Sequence, residues 1–426
     1  MDPRLAVRAG LACSLATAVF VTAPSAQEPA APPPANYVVH EWGTFTSMAG
    51  TDGFVLEGLH HEEEHLPKFV HDLARIAEFA RVDGEKLPAS RVTQKMETPV
   101  IYFYADEPMS AQVHVWFQKG VMTQFYPLPH TVTPELSVLQ KARLDVSGID
   151  WSSLVWDVDV IPRTMPAPAG IPEVAADDPW HFARQTQASY VRTRIGADSP
   201  AKSEAEHYLF YRGLGRWQPE VRATTSDDGV THFENRMGHA IPFSLALELT
   251  EAGGRFVVGG AVAPGAEVAP ALAAARLEPD REIFARTVGA VVMKALVDQG
   301  LYLDEARAMV ATWSRSWFQR DGARIVYLLP REQVDAVLYL GLSPRPKEVV
   351  RVLVGRLEFI TPALQQRVEH ALRERGNADP GIAARGAAVL ARLDRFLEPH
   401  LRNVARCGKD SLARGAATAM LASKGN

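Results

Sequence analysis

VHVWFQKGVMTQFY, residues 113–126, is the stretch that most directly indicates the fold class. Two runs rich in aromatic and β-branched residues, 113–117 and 121–126, flank the short connection 118–120. A glycine that closes such a three-residue connection is typical of a β-hairpin, with the glycine in the left-handed conformation. The stretch therefore predicts two adjacent antiparallel strands, with Gly120 at the left-handed position.

Further strand signals extend from this segment in both directions. Residues 100–104 form a continuous apolar run, while Trp156, Val158 and Val160 alternate with aspartates as in a half-buried strand. Many short strands separated by glycine and proline turns predict a packed pair of sheets. We therefore expect a β-rich, sandwich-like body over residues 37–270.

The end of this body carries a second hairpin signal, because residues 243–249 and 256–258 flank a Gly-Gly turn. Past residue 280 the apolar period becomes that of a helix. Asp280 and Asp304 can each cap a helix, which predicts a helical hairpin, and Gly300 ends the first of the two helices.

Two further strands follow the helical hairpin, at residues 325–329 and 349–359. We expect residues 271–360 to pack on the body as a helical hairpin plus strands. Residues 361–426 are Ala/Arg-rich and hold eleven Lys/Arg against six Asp/Glu, which predicts a basic helical tail. Its basic face is either solvated or in contact with an acidic partner or with the acidic body. The predicted fold class is α+β.

The amino terminus predicts export. Residues 1–26 combine Arg4 and Arg8, an apolar run over 9–21 and the small residues of a cleavage site, which is typical of a signal peptide. A Pro/Ala-rich spacer follows at 27–36. No later run approaches 18 apolar residues, so we expect a soluble periplasmic or extracellular protein without a transmembrane segment.

Composition excludes several classes of function. The 426 residues carry a net charge of −5, so no chain-wide basic field exists to bind nucleic acid. Cys13 and Cys407 are the only cysteines, too few for a disulfide scaffold or a four-cysteine zinc site. The sequence also lacks a phosphate-binding loop, a dinucleotide fingerprint and a G-x-S-x-G elbow.

One segment could hold a metal ion. His61 and His65 with the intervening glutamates match H-E-x-x-H, which on a helix places two imidazoles on one face and leaves Glu62 to activate a zinc-bound water. His71 has the third-ligand spacing of the longer form of this motif. The pattern thus predicts a possible zinc site at His61, His65 and His71.

Several features of the same segment count against a zinc protease. Glu63 and Glu64 place charges where such a helix packs on the core, Pro67 interrupts the helix, and Lys68 replaces the glycine of the longer motif. Looser divalent-metal binding and a solvated, charged loop both remain open.

Five motifs are distinctive between about residues 37 and 362: VHEWGTFT at 39–46, LPKFVH at 66–71, METPVIYFY at 96–104, LFYRG at 209–213 and VLVGRLE at 352–358. Through these motifs the sequence resembles a family of exported bacterial proteins that open with an HEWGTFT-type signature and carry no established activity. This resemblance implies export and a shared fold, and it transfers no catalytic residue.

These motifs contain polar residues within apolar runs. On an extended strand His40 and Trp42 share one face, while Glu41 points to the other. Buried charges need partners, so two structural ion pairs are candidates, Glu97 with Arg212 and Glu41 with Arg356.

The same residues also allow a functional interpretation, a cleft in which His40, Glu41 and His71 act as general acid/base groups or metal ligands. The tryptophans are more typical of a core than of a sugar-stacking platform. Our leading hypothesis is a non-catalytic binding or envelope-associated role toward an unknown ligand. The alternative is a metal-assisted hydrolase that uses the cluster at 60–71 or His40 and Glu41.

Overall fold

The structure is a computed structural model that describes residues 36–59, 66–73, 91–135, 149–194, 203–226 and 229–424. The predicted signal peptide, the spacer up to residue 35, and the histidines and glutamates at 60–65 lie outside these ranges.

The largest sheet within the described ranges has nine strands. Its central strand pairs are β1 with β18, which are parallel, and β1 with β3, which are antiparallel. In spatial order the strands are β14 (Gly253–Val258), β13 (Ser244–Thr250), β16 (Gly322–Leu328), β18 (Glu348–Phe359), β1 (Val38–Ala49), β3 (Gln94–Tyr104), β10 (Leu209–Gly215), β5 (Gly120–Tyr126) and β2 (His71–Asp72).

A second sheet packs on one face of the first. One hydrophobic cluster joins Ile101 and Phe103 of the nine-stranded sheet to Val113, Val115 and Trp156 of the second sheet, as expected for a sandwich. The strands of the second sheet are β17 (Leu338–Ser343), β4 (Met109–Gln118), β7 (Trp151–Ile161), β8 (Tyr190–Thr193) and β9 (Ala205–Glu206), with β6 (Thr131–Thr133) paired to β7. A small sheet contains β11 (Val221–Thr225), β12 (Thr231–Asn235) and β15 (Glu267–Val268).

The hairpin predicted from residues 113–126 is wrong. Its two strands form, but β4 pairs with β7 and β17 in the second sheet, whereas β5 pairs with β10 and β2 in the first. The chain therefore crosses between the sheets at this turn. Lys119 takes the positive φ, at 52°, and a Cβ on Gly120 would lie 2.2 Å from the Phe117 ring. Gly120 is thus required for close packing rather than for a left-handed turn.

Helices cover the opposite face of the nine-stranded sheet. Asp280 caps α2 through hydrogen bonds from the backbone N–H groups of Glu282 and Ile283, as the sequence predicts. The predicted second cap is displaced, because α3 begins at Leu303 and Asp304 lies in its first turn. The helices on this face are α1 (Pro179–Ala183), α2 (Arg281–Asp298) and α3 (Leu303–Phe318). A further helix, α4 (Arg331–Val337), packs instead into the cluster between the two sheets.

The second predicted hairpin and the α+β class are confirmed. β13 pairs with β14 in the antiparallel register that the Gly-Gly turn suggests. β16 and β18 lie inside the nine-stranded sheet, between β13 and β1, rather than on its edge.

The carboxyl-terminal residues form helices with their own small core. Thr361 and Asp379 cap the first two of them, each followed by proline, as the sequence predicts. The four helices are α5 (Pro362–Arg375), α6 (Pro380–Ala391), α7 (Leu397–Cys407) and α8 (Ser411–Lys424).

Basic residues of this tail contact acidic residues of the body. Arg395 Nη1 lies 2.5 Å from Glu97 Oε1, and Arg406 Nη2 lies 2.8 Å from Asp52 Oδ1. Of the alternatives left open by the sequence, contact with the chain's own acidic body is therefore realised. In the described part of the chain, no helix is both long and apolar enough to cross a membrane.

Candidate functional site

Neighbouring side chains of β1 point to opposite faces of the sheet, as the alternation of strand side chains requires. Trp42 belongs to the hydrophobic cluster under the helices, and His40 contacts Glu305 of α3 on the same side. Glu41 instead contacts Tyr211, which belongs to the cluster between the two sheets. The sequence prediction that His40 and Glu41 face opposite ways is confirmed.

His40 is held by a carboxylate from the helix layer. Its Nδ1 lies 2.7 Å from Glu305 Oε2, and the two side chains are 1% and 0% exposed. Glu305 also accepts hydrogen bonds from the Tyr104 hydroxyl, at 2.8 Å, and from the Tyr302 backbone N–H, at 2.8 Å. Burial, together with the charge of Glu305, raises the pKa of Tyr104 and keeps this hydroxyl a donor.

The second nitrogen of His40 remains available. Among the described residues, His40 Nε2 has no hydrogen-bond partner. The ring centroids of Tyr302 and Tyr104 lie 4.4 Å and 5.3 Å from that of His40. A carboxylate on Nδ1 fixes the ring and leaves Nε2 to accept a proton or to bind a metal ion.

His71 lies in a different part of the sheet. It lies on β2, where it pairs with Phe125 of β5. Since β2 is four strands from β1, the usual strand spacing places His71 about 19 Å from His40. Its Nε2 lies 3.0 Å from both carboxylate oxygens of Glu204, and Glu204 also accepts from the Leu128 N–H. The structure thus does not bring His40, Glu41 and His71 together in one site.

The metal site predicted from H-E-x-x-H stays a prediction. His61, Glu62 and His65 lie outside the described residues. Within the described ranges, no three His, Cys, Asp or Glu side chains are grouped so as to hold a metal ion.

Glu41 belongs to a buried ion pair, but its predicted partner is wrong. Arg351 Nε donates to Glu41 Oε2 at 2.5 Å, and the Tyr211 hydroxyl donates to Oε1. The parallel register of β1 and β18 places Arg351 beside Glu41, whereas Arg356 lies beside Thr46, five residues further along. The sequence shows two arginines on β18, and only the register decides between them.

Glu97 and Arg212 do lie together, as predicted, although the contact is to the backbone. Arg212 Nε donates to the carbonyl oxygen of Glu97, and the Glu97 carboxylate accepts from Arg395 of the tail. Arg395 was not identified from the sequence, because it lies almost 300 residues away in an Ala/Arg-rich segment.

A cavity lies beside the His40–Glu305 pair, on the same face of the sheet. Trp42 is two residues from His40 along β1, about 7 Å at the rise of a strand, and it lines this cavity. The volume is about 40 Å³, roughly three times the space that one water molecule needs. The lining residues are Trp42, Leu66, Pro67, Thr98, Val100, Asp178, Pro179, Trp180, Ala183, Tyr208, Phe210, Arg212, Thr312 and Trp313, and we call this cavity the tryptophan pocket.

Three tryptophans from three different elements meet at this pocket. Trp42 comes from β1, Trp180 from α1 and Trp313 from α3. Within the described part of the chain, no ring contact joins any two of them. Their rings therefore line the pocket without packing on one another.

Three polar atoms of pocket residues are buried without a hydrogen-bond partner in the described structure. These are Trp42 Nε1, Thr98 Oγ1 and Trp313 Nε1, on residues that are 0%, 8% and 2% exposed. A buried donor without a partner costs about 1–3 kcal/mol relative to a satisfied one. Trp180 differs, because its Nε1 donates to Glu206 Oε2 at 2.9 Å, and Glu206 is held by Arg184. Trp180 is thus fixed in the pocket wall.

The pocket also carries one acidic and one basic residue. Asp178 is half-buried and caps α1 by accepting from the Trp180 N–H at 2.8 Å. Among the described residues, Asp178 has no ion-pair partner. Arg212 is 3% exposed, and its guanidinium carbon lies 5.9 Å from the Phe210 ring centroid.

Sequence reasoning missed Glu305 and Trp180 as parts of this site. Glu305 sits in the first turn of a helix, where an acidic residue is expected on the surface, so its position carries no signal of burial. Trp180 follows Asp178 and a proline in a helix of only five residues, which the periodicity does not reveal. Trp42 and Trp313 were predicted as core, and they are buried as core residues while also lining the pocket.

Comparisons with known proteins give no identification. No protein-family model matches the sequence, and no similar curated protein was found. Among solved structures, the yeast delta-COP-I mu-homology domain complexed with a Dsl1 WxWxV peptide is 7% identical, with a TM-score of 0.25, and the match covers 78% of this chain and 98% of that chain. The Fcho1 mu homology domain of Danio rerio with a bound Eps15 peptide is 8% identical, with the same coverages and TM-score. Similarity at this level supports no inference.

Proposed function

We propose that this chain is an exported protein with a non-catalytic binding role in the periplasm or outside the cell, and that the tryptophan pocket is its ligand site. The signal-peptide pattern at residues 1–26 and the resemblance to exported bacterial proteins support the location. The pocket supports the binding role, because concave aromatic sites with a few convergent polar groups are the usual form of small-molecule sites.

The observation that carries the proposal is the arrangement of Trp42, Trp180 and Trp313 around a cavity. Buried tryptophans usually satisfy their N–H groups, as Trp156 does by donating to the Pro127 carbonyl oxygen at 2.7 Å. Trp313 is stacked on Trp317, with ring centroids 6.2 Å apart, but its Nε1 has no partner in the described structure. The Nε1 atoms of Trp217 and Trp317 also lack partners there, so what distinguishes Trp313 is the cavity beside it. A ligand that fills the cavity and accepts from Trp313 Nε1 would satisfy this N–H group.

A thermal-shift screen of small polar metabolites against the mature chain, residues 27–426, tests this function. We expect at least one compound to raise the midpoint of unfolding, because binding to the folded state alone stabilises it by mass action. Ala183→Met would fill the pocket and abolish that shift. Ala188→Met is the matched control, since Ala188 is also buried but does not line the pocket.

Two outcomes would contradict the binding role. The first is a screen in which no compound stabilises the chain. The second is a compound that stabilises Ala183→Met as strongly as the unchanged protein, because its site would then lie elsewhere.

A metal-assisted hydrolase is the second candidate, and one observation favours it. His40 is oriented by a buried carboxylate and keeps Nε2 free, as a general base or metal ligand requires. In the hydrolase hypothesis the carboxylate that acts with His40 is therefore Glu305 and not Glu41, because Glu41 is paired with Arg351 on the other face of the sheet. The histidines at 60–65 and His71 remain candidate zinc ligands.

Metal content separates the two candidates. The mature, untagged protein is purified without chelator and assayed by elemental mass spectrometry. About one zinc per chain, lost on His61→Ala, would favour the hydrolase and justify a substrate screen. Less than a tenth of an equivalent of any divalent metal per chain would exclude the metal-assisted hydrolase.

A further inference from the structure

A groove runs between α2 and α3 on the exposed side of the helical hairpin. Its volume is about 510 Å³, and it shares no lining residue with the tryptophan pocket. Such a groove leaves room for the side chains of a partner, and we call it the hairpin groove. Six of the residues that line it are small or apolar, namely Ala285, Gly289, Ala290, Met293, Val310 and Ala311.

Two contacts define how the helices of the hairpin lie against each other. A Cβ added at Gly289 would lie 3.2 Å from Val310 Cγ1, and Arg281 Nη1 donates to the carbonyl oxygen of Gln319 at 3.5 Å. The start of α2 therefore lies near the end of α3. The two helices are antiparallel, with Gly289 opposite Val310 near the middle of the groove.

Two arginines that line the groove carry positive charges that no carboxylate neutralises. Arg286 and Arg307 are exposed, and among the described residues neither has an ion-pair partner. Lys294 of α2 differs, because it pairs with Asp298 at 2.5 Å. Carboxylates of a partner that lies in the groove can neutralise the two arginines, since opposite charges across an interface attract and select the partner.

The two arginines are spaced as residues on one face of a partner helix are. Arg286 comes three residues before Gly289, and Arg307 comes three residues before Val310, so in an antiparallel pair they lie on opposite sides of this contact. At 1.5 Å per residue they are roughly 9 Å apart along the groove. Residues seven positions apart on a helix share a face and are about 10.5 Å apart, within the reach of two flexible arginines.

Glu282 gives the groove a direction. It also lines the groove, and it comes four residues before Arg286, which places it about 6 Å beyond that arginine and further from Arg307. A carboxylate of the partner would be repelled at this end. The acidic residues of a partner must therefore face the two arginines, and a basic or neutral residue must face Glu282.

The groove fits a helix better than a strand or a bilayer. The backbone groups of α2 and α3 are used inside these helices, so the groove offers a strand no hydrogen bonds. A bilayer surface does not enter a concave groove. The side-chain ridge of a third helix does pack between two helices, and the flexible, half-buried Met293 can adapt to it.

We propose that the hairpin groove binds an amphipathic helix of a partner protein, which presents two acidic residues, seven positions apart, to Arg286 and Arg307. Apolar side chains three and four positions after the first acidic residue fill the space beside Gly289, Ala290 and Ala311. This inference concerns a surface outside the tryptophan pocket, and it does not depend on the proposed binding of a small molecule there.

Fluorescence anisotropy with two labelled peptides tests the charge pattern. Both are helix-stabilised peptides of about 15 residues with the same leucines, and one carries glutamates at i and i+7 where the other carries lysines. We expect the mature chain to bind the glutamate peptide at least about tenfold more tightly than the lysine peptide, because like charges across an interface repel.

Charge reversal in the groove should reverse this preference. The double variant Arg286→Glu with Arg307→Glu should bind the lysine peptide at least about tenfold more tightly than the glutamate peptide. Arg315→Glu is the matched control, because Arg315 is also an exposed arginine of α3 but does not line the groove. It should change both affinities by less than about twofold. Circular dichroism verifies that each variant is folded.

Ala290→Tyr tests whether the peptide lies in the groove. Ala290 is exposed and lines the groove, so a larger side chain there occupies the space of the partner and leaves the core unchanged. We expect the glutamate peptide to bind this variant at least about fivefold more weakly, because the added ring clashes with the peptide. Thr287→Tyr is the matched control on α2, at an exposed position outside the groove, and should leave the affinity unchanged.

Each other outcome overturns the inference in a recognisable way. Equal affinity for the two peptides rejects the charge pattern, and no binding of either peptide at millimolar concentration rejects the groove as a site for a helix. An affinity that Ala290→Tyr leaves unchanged means that the arginines attract the peptide without the groove. If the chain instead cosediments with phosphatidylglycerol vesicles, and the double variant does not, the arginines belong to a surface that binds membranes.

Discussion

Neighbouring polar residues have different hydrogen-bond partners on the two faces of the nine-stranded sheet. On the face toward the second sheet, Glu41 meets Arg351 and Tyr211, and both of its carboxylate oxygens have donors. On the face toward the helices, His40 meets Glu305 but keeps Nε2 free, and Trp313 and Thr98 keep buried polar atoms without partners in the described structure. Arg351 Nη2 on the first face also lacks a partner in the described part of the chain, so the difference lies in the cavity: among the described residues, only the helix-facing side has its unpartnered atoms around a pocket. We infer that the first face serves stability and that the second can accept a ligand.

This contrast follows from physical costs. A buried carboxylate whose two oxygens both have donors has nothing left to offer a ligand, and removing it leaves a costly bare charge on its partner. A buried donor without a partner weakens the fold by about 1–3 kcal/mol, and where such a donor lines a cavity a ligand can supply the missing acceptor. The predictions below test the two faces in order of decreasing effect.

The largest effect is expected on the inter-sheet face. Glu41→Gln leaves the buried guanidinium of Arg351 without its main counter-charge, and the remaining partner Asp335 is 45% exposed. We expect the free energy of unfolding, from urea denaturation, to fall by about 3–5 kcal/mol. Asp159→Asn, which breaks the exposed pair with Arg192, is the control and should cost at most about 1 kcal/mol. Equal small losses in both variants would show that Glu41 is not structural.

A second buried histidine gives a pH-dependent effect of comparable size. Burial lowers the pKa of His400 to about 4, although Glu358 opposes the shift. The unfolded chain then binds a proton at this residue before the folded chain does, so stability falls as the pH drops from about 6.5 to about 4. The expected slope is about 1.4 kcal/mol per pH unit.

His400→Leu should remove this slope while leaving the rest of the pH dependence in place. Urea denaturation at pH 7, 6, 5 and 4 measures it in both proteins. If the two proteins lose stability in parallel over this range, His400 is not the titrating group.

A smaller effect is expected on the helix-facing side of the sheet. Glu305→Gln keeps one of the two acceptor oxygens that Tyr104 and Tyr302 use, replaces the other by an NH2 donor, and removes the charge that His40 and Tyr104 face. We expect the free energy of unfolding to fall by about 1–3 kcal/mol, the usual range for hydrogen bonds to a charged group. A loss as large as that of Glu41→Gln would show that this face is as structural as the other.

Sequence reasoning found most of the elements and few of their pairings. The caps at Asp280, Thr361 and Asp379 are local signals, so they were predicted. The 113–126 stretch was predicted as a hairpin because adjacent strands usually pair, yet the chain changes sheets there. Local pattern cannot show whether two strands that flank a short turn share a sheet.

The same limit applies to the site. That His40 and Trp42 share a face follows from the strand period and was predicted. Glu305 and Trp180 reach the site from helices that lie well over a hundred residues away, and only the tertiary packing shows this. The choice of Arg351 rather than Arg356 as the partner of Glu41 likewise depends on the register of β18, which the sequence does not specify.

One pair of substitutions tests the central contrast most directly. Trp156 and Trp313 are both buried, but Trp156 donates to Pro127 between the sheets, whereas Trp313 Nε1 has no partner in the described structure and lines the pocket. Urea denaturation, and titration with a compound that stabilises the unchanged protein in the thermal-shift screen, are carried out on Trp156→Phe and Trp313→Phe. We expect Trp156→Phe to lose about 2 kcal/mol of stability, because the Pro127 carbonyl loses its donor, and to bind the compound unchanged. Trp313→Phe should lose less than about 1 kcal/mol, because no hydrogen bond is broken, and should bind the compound at least about threefold more weakly, because Trp313 lines the pocket. The reverse result, with Trp313→Phe strongly destabilised and ligand binding unaffected, would contradict the assignment of the helix-facing side to a ligand.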